Sequence, residues 1–106
     1  MVTILLATYR GERFLPALTA SLLAQTHMDF CVLWQDDGGD TPPLPADGRF
    51  VPGAHQGRGF GAARNFFDLL TQATGDVALC DQDDVWHRDK LERGLNALHQ
   101  AEAAWQ

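Results

Sequence analysis

The sequence predicts an α/β fold with a mostly parallel sheet and flanking helices. Three runs are almost entirely apolar, with Thr3 as the single polar residue: 2–7, 30–34 and 77–80. Continuous apolar strands are typical of a sheet that is covered on both faces, because a strand with one wet face would alternate. Segments with helical spacing of apolar residues separate these runs. Strands that alternate with helices indicate parallel pairing through crossover connections.

The first strand, 2–7, ends in a turn over residues 8–12, and a helix is predicted over 13–25. Its apolar side chains recur at helical spacing, at Phe14, Leu15, Leu18, Leu22 and Leu23. Pro16 is compatible with this helix because it falls in the first turn, where no backbone N–H is needed.

The second strand, 30–34, is followed by a proline-rich loop over residues 41–48. Residues 49–52 are expected to form a short edge strand, since Pro52 cannot donate to a ladder. A helix is predicted over 62–74, with Gly75 ending it. Its apolar face is expected to comprise Ala63, Phe66, Phe67, Leu70 and Ala73.

The third strand, 77–80, leads through an acidic turn to the last helix. We expect Asp89 to be the N-cap and Glu92 to complete a capping box three residues later. Leu91, Leu95 and Leu98 continue the helical pattern.

Composition limits the function. A chain of 106 residues holds one domain, and its net charge of −6 argues against nucleic acid as the main partner. No apolar run reaches the ~18 residues that span a bilayer. Cys31 and Cys80 both lie in predicted strands, which favours a core location and a reducing compartment.

Acidic residues follow two of the three strands. Ligands of open α/β sheets bind beyond the C-terminal strand ends, which here are residues 8–12, 36–40 and 81–86. Asp81 and Asp83 have the spacing to direct two oxygens at one Mg²⁺ or Mn²⁺ ion. A solvated acidic loop is the alternative for these residues. Asp37 follows the second strand, where it could accept hydrogen bonds from a ligand or simply form a turn.

Several motifs together resemble the inverting family 2 glycosyltransferases with the GT-A fold. The resemblance rests on Ala7-Thr8-Tyr9, Asp36-Asp37-Gly38, Gly61-Ala62-Ala63-Arg64-Asn65 and Asp81-Gln82-Asp83-Asp84-Val85-Trp86, in this order along nearly the whole chain. It implies the Rossmann-like N-terminal half of a GT-A fold. The last motif is similar to that of the bacterial rhamnosyltransferase-like branch.

The resemblance also implies roles for individual residues. A nucleotide-sugar-binding set is implied at Ala7, Thr8, Tyr9, Glu12, Asp37, Arg64, Asp81 and Gln82. Asp83, with Asp81, would ligate Mn²⁺ or Mg²⁺ on the diphosphate. The implied partners are a UDP- or dTDP-sugar donor and a saccharide or lipid-linked acceptor, in synthesis of bacterial cell-surface polysaccharide.

The sequence departs from the family pattern in several places. Arg10 stands where the family usually has Asn, and Gly39 stands where it has Ser. The family's general base is an aspartate in the second half of the GT-A domain, and no residue here matches it by motif. We therefore expect residues 1–106 to form a nucleotide-sugar-binding half-domain that holds no catalytic residue and is incomplete alone.

An incomplete sheet edge would expose apolar surface beside the last strand, so self-association is an expectation. The expected location is cytoplasmic, with a peripheral position at the inner membrane face as a variant of it. Two other functions stay open. One is a haloacid-dehalogenase-type phosphatase with Asp81 as nucleophile, and the other is a non-catalytic interaction module.

Overall fold

The computed structural model describes residues 1–104 and shows, over that range, an all-parallel sheet of four strands with three helices. The elements are β1 Val2–Thr8, α1 Leu15–Leu23, β2 Phe30–Asp36, β3 Phe50–Pro52, α2 Ala62–Gln72, β4 Val77–Asp81 and α3 Lys90–Ala104. The strand order is β3-β2-β1-β4, and every neighbouring pair is parallel. The predicted α/β fold is confirmed.

β1 lies inside the sheet, and its consecutive residues Ile4, Leu5 and Leu6 are all fully buried. Consecutive burial requires cover on both faces of the strand, because neighbouring side chains point to opposite faces. One face packs against α1 and α3 in the main core, which includes Leu18 and Trp86. α2 covers the other face over β1 and β2.

Side chains near the end of α1 connect that helix to the start of α3. Gln25 donates from Nε2 to the carbonyl of His87 at 2.7 Å, and its Oε1 accepts from Leu91 N at 3.2 Å. Glu92 accepts a hydrogen bond from the Thr26 hydroxyl at 2.8 Å. The predicted capping box is therefore wrong in its partners, since Glu92 is hydrogen-bonded to Thr26 in the loop after α1 instead of to the backbone of residue 89.

The buried face of α2 differs from the predicted one. Asn65 and Leu69 are buried, whereas Phe67 is 69% exposed and Leu70 is 44% exposed. The cause is Gln35, a fully buried residue of β2 whose amide needs polar partners on the helix above it. The helical spacing allows either of two faces of α2 to pack on the sheet. The face with polar side chains packs there because it supplies hydrogen-bond partners for the buried Gln35 amide.

The sheet has two different edges. β3 is only three residues long and ends in Pro52, and the loop between β2 and β3 forms the parallel crossover without a helix. β4 forms the opposite edge, where Val77 is 40% exposed and Leu79 is 62% exposed. The apolar edge expected from the sequence is present.

Within residues 1–104, no helix is both long and apolar enough to cross a membrane.

Candidate functional site

A cavity of about 610 Å³ opens at the C-terminal edge of the sheet. The ends of β1, β2 and β4 meet there because the strands are parallel, as in other open α/β sheets. The loops after these strands and the start of α2 form its walls. Its lining residues are Ala7, Thr8, Tyr9, Phe14, Asp37, Gly61, Ala62, Asn65, Phe66, Asp81, Gln82 and Asp83.

The carboxylate of Asp36 is buried beneath the loop after β2. It accepts from the Thr8 hydroxyl at 2.7 Å and from the backbone N–H groups of Gly38 and Asp40 at 3.1 Å each. These donors tie the end of β1 to the end of β2 and compensate the cost of burying a charge. Asp36 is thus a structural residue, and its neighbour Asp37 faces the cavity.

Asp37 holds the glycine-rich segment that precedes α2. Its two carboxylate oxygens accept from the backbone N–H groups of Phe60 at 2.7 Å and Gly61 at 2.8 Å. Gly61 is the N-cap of α2 and has a φ of 80°, a conformation that favours glycine. A carboxylate has about four acceptor positions, so Asp37 retains capacity for a ligand in the cavity.

The glycine-rich segment also uses further backbone N–H groups internally. Gly57 donates to the carbonyl of Asp36 at 2.7 Å, and Gly59 donates to that of Asp37 at 3.1 Å. These amides are therefore occupied by the acidic turn, which argues against residues 57–61 as a phosphate cradle.

Gln82 joins the loop after β4 to the loop after β1. Its Oε1 accepts from Tyr9 N at 2.8 Å, and its Nε2 donates to Tyr9 O at 2.9 Å. Both backbone groups of Tyr9 are thereby paired with one side-chain amide. Tyr9 is 49% exposed and lines the cavity, and the guanidinium carbon of Arg10 lies 5.0 Å from the centre of its ring.

Asp81 and Asp83 both line the cavity and are solvent-exposed. The turn between them is closed by Asp84, whose N–H donates to Asp81 O at 3.1 Å. In residues 1–104, no group of three His, Cys, Asp or Glu side chains is arranged to hold a metal ion alone. Two exposed carboxylates do suit a hard divalent cation that takes its remaining ligands from water and substrate phosphates.

The cavity unites most of the site residues predicted from sequence. Ala7, Thr8, Tyr9, Asp37, Asp81, Gln82 and Asp83 all line it. Glu12 is exposed and lies outside the lining, as does Arg64, whose guanidinium stacks 4.5 Å from the centre of the Phe60 ring. Nucleotide-sugar binding by any of these residues stays a prediction.

Asn65 is the main lining residue that the sequence did not single out. It is 1% exposed, donates from Nδ2 to the carbonyl of Gln35 at 2.9 Å, and accepts from the Gln35 amide at 2.8 Å. It fixes the start of α2 against the end of β2. The available signal is its place in the Gly61-Ala62-Ala63-Arg64-Asn65 motif, directly after Arg64.

A polar network supports Asn65 from behind the cavity. The carboxylate of Asp68 accepts from Gln35 Nε2 at 2.9 Å and from Gln72 Nε2 at 3.0 Å, and it contacts His55 Nδ1 at 2.8 Å. Hydrogen bonding by Gln35, followed by that of His55, lowers the pKa of Asp68 below its ordinary value. Asp68 is therefore ionised at neutral pH and holds α2 to β2.

Comparison with known proteins places the chain in a family. The model of "Glycosyl transferase family 2" matches residues 3–105. The chain is 24% identical over 107 residues to dTDP-rhamnosyl transferase RfbG of Shigella flexneri, covering 88% of this chain and 36% of that protein. It is 33% identical over 103 residues to an uncharacterized glycosyltransferase of Nostoc, covering 87% of this chain and 31% of that protein.

Solved structures agree on the fold. Staphylococcus aureus TarS superimposes with a TM-score of 0.69 at 19% identity, over 93% of this chain and 19% of that one. A shorter TarS chain, residues 1–349, gives a TM-score of 0.72 at 20% identity, over 93% of this chain and 32% of that one. The chain spans about a third of the length of the curated relatives it matches. With the family model covering nearly all of its residues, this chain belongs to glycosyltransferase family 2.

Proposed function

We propose that the cavity at the C-terminal sheet edge binds a nucleoside-diphosphate sugar with a divalent metal ion. The observation that carries the proposal is the position of Asp81 and Asp83, which line one wall of the cavity while Tyr9 and Asp37 line others. The aromatic ring and the acceptor suit a base, and the paired carboxylates suit a metal–diphosphate group.

The chemistry of sugar transfer explains why the site would need both a metal ion and residues that orient the base. Members of this family generally use divalent metals. When bound, Mn²⁺ or Mg²⁺ would neutralise the charge that develops on the departing nucleoside diphosphate. Asp83 and Asp81 are the residues that would hold the ion, and Tyr9 and Asp37 would orient the base beside it. The acidic pair would otherwise repel the diphosphate.

The likeness to a dTDP-rhamnosyl transferase supports a dTDP-sugar as donor, with a UDP-sugar as the alternative. We further propose inverting transfer to a saccharide or lipid-linked acceptor, in bacterial cell-surface polysaccharide synthesis. No catalytic base is assigned in this chain, so turnover is proposed for the whole protein and not for residues 1–106 alone. The proposed location is cytoplasmic, including the inner membrane face.

Calorimetric titration with dTDP and UDP, with and without Mn²⁺, tests the proposal. We expect weak binding that requires the metal and is lost in Asp83→Ala, because a single remaining carboxylate holds the ion poorly. Asp76→Ala is the matched control. Asp76 is an exposed aspartate that precedes β4, at the opposite end of that strand from the cavity, so its removal should leave nucleotide binding intact.

Three results would contradict the proposal. One is absence of nucleotide binding by the folded wild-type chain at millimolar ligand, which would favour the interaction module. Another is equal loss of binding in both aspartate variants. The third is release of phosphate from a generic phosphoester by a protein that forms a phosphoryl-aspartate at Asp81, which would favour the phosphatase.

A further inference from the structure

Gln82 lies in the middle of the Asp81-Gln82-Asp83 motif, between the two proposed metal ligands. Its amide pairs with both backbone groups of Tyr9, at 2.8 Å and 2.9 Å. The parallel ladder between β1 and β4 ends at Ala7 and Asp81. Gln82 therefore continues the connection between these strands beyond the sheet, by a side chain where the backbone ladder has stopped.

Gly11 provides independent support for this arrangement. A Cβ atom added at Gly11 would lie 2.6 Å from Gln82 Oε1 and 3.3 Å from Leu15 Cδ1. The backbone of Gly11 is buried, and the amide of Gln82 is packed directly against it. The absence of a side chain at position 11 thus makes room for the pair between Gln82 and Tyr9.

We propose that Gln82 is a positioning residue that couples metal binding to base binding. This inference rests on the proposed function, because it assigns Tyr9 to the base and Asp81 with Asp83 to the metal. The Gln82 amide holds the two loops in one register, so that a diphosphate held by the metal presents its base to Tyr9. Gln82 itself needs no contact with the nucleotide.

The coupling is measurable as a ratio of affinities. For dTDP and for UDP, the dissociation constant is determined by calorimetry without and with Mg²⁺. The affinity ratio, which is the dissociation constant without Mg²⁺ divided by that with Mg²⁺, reports how strongly metal and nucleotide reinforce each other. We expect the ratio to fall at least about fivefold in Gln82→Ala and in Gln82→Met, which keeps the side-chain length but has no amide. Gly11→Ala should have the same effect, because the added Cβ atom displaces the Gln82 amide although residue 82 itself is unchanged.

Tyr9 gives a second readout that needs no ligand. It is the only tyrosine of the chain, so protein labelled with 3-fluorotyrosine gives a ¹⁹F signal from Tyr9 alone. We expect that signal to shift or broaden in all three variants, because the backbone of Tyr9 loses its partner. Gln100→Ala, at an exposed glutamine of α3, is the control and should leave both the signal and the affinity ratio unchanged.

The outcomes separate this inference from the proposed function. If Gln82 is merely structural, its substitution lowers the melting temperature and leaves the affinity ratio as in wild type. That result would overturn the inference. If wild-type protein shows no effect of Mg²⁺ on nucleotide affinity, the proposed function fails. The coupling inference fails together with the proposed function in that case. Independently of nucleotide binding, an unchanged Tyr9 signal in the variants would refute the contact between the two loops.

Discussion

Asp36 and Asp37 are adjacent in the sequence but have different environments. The buried carboxylate of Asp36 accepts from the Thr8 hydroxyl and two backbone N–H groups, whereas Asp37 holds the N–H groups of Phe60 and Gly61 at the cavity wall. Removal of Asp36 would leave the buried Thr8 hydroxyl and two backbone N–H groups without their acceptor, which destabilises the fold itself. Removal of Asp37 would release the start of α2 and change the cavity.

Asp68 makes the stability of the protein dependent on pH. Its pKa is lowered in the folded state, so its contribution is present above the ordinary value of 3.8 and is lost as pH falls through the lowered pKa. In urea unfolding, we expect wild type to exceed Asp68→Asn in stability at about pH 5 and the difference to shrink by about pH 2. A difference that stays constant over this range would show that the charge of Asp68 is not involved.

Sequence patterns identified the residue types of the site better than their contacts. Strand ends and acidic motifs located Tyr9, Asp37, Asp81 and Asp83, because parallel strands deliver their C-terminal ends to one edge. They did not reveal Asn65, since an asparagine on a helix carries no sign of whether it faces solvent or a buried amide. The partners of Gln82 were equally hidden, because its contact is with backbone that every residue possesses.

At the scale of elements, α2 shows how a buried polar group overrides an apolar pattern. Its phenylalanine and leucine residues at helical spacing indicated the wrong face, because Gln35 of β2 draws Asn65, Asp68 and Gln72 toward the sheet. The strands were predictable, because the apolar runs 2–7, 30–34 and 77–80 have the length of strands and are too short for helices. Their ends were less so, and β2 continues past Trp34 to Asp36.

Two substitutions in α2 test which face is buried. Leu69 is fully buried, so Leu69→Ala should lower the free energy of unfolding by about 2–5 kcal/mol. Phe67 is mostly exposed, so Phe67→Ala should change it by less than about 1 kcal/mol. Urea denaturation of both variants measures this difference. A larger loss at Phe67 than at Leu69 would mean that α2 is rotated relative to the sheet.

At the scale of the whole molecule, the sheet has a short edge at β3 and an apolar edge at β4. Proteins normally protect exposed strand edges with charges, prolines or a covering element. Pro52 protects β3, while β4 presents Val77 and Leu79 to solvent with no proline in the strand. This exposed edge supports the expectation of self-association made from the sequence.

We expect the chain to self-associate through β4, and more strongly at high salt. The chain carries a net charge of −6, so two copies repel each other until salt screens that charge. Sedimentation velocity should show a concentration-dependent dimer that Leu79→Lys disrupts. Val51→Lys, at an exposed residue of β3 on the opposite edge of the sheet, is the control. A monomer at every salt and protein concentration would contradict this expectation.

Chemical-shift mapping of the ¹⁵N-labelled chain with dTDP and Mg²⁺ tests nucleotide binding at the cavity, because it shows which residues the nucleotide contacts. We expect shifts at the backbone amides of Tyr9, Asp37, Gln82 and Asp83, which follow three different strands and meet at the cavity. Shifts that appear instead around Ala78 and Leu95, in the smaller groove between β4 and α3, would contradict it. So would a spectrum that the nucleotide leaves unchanged.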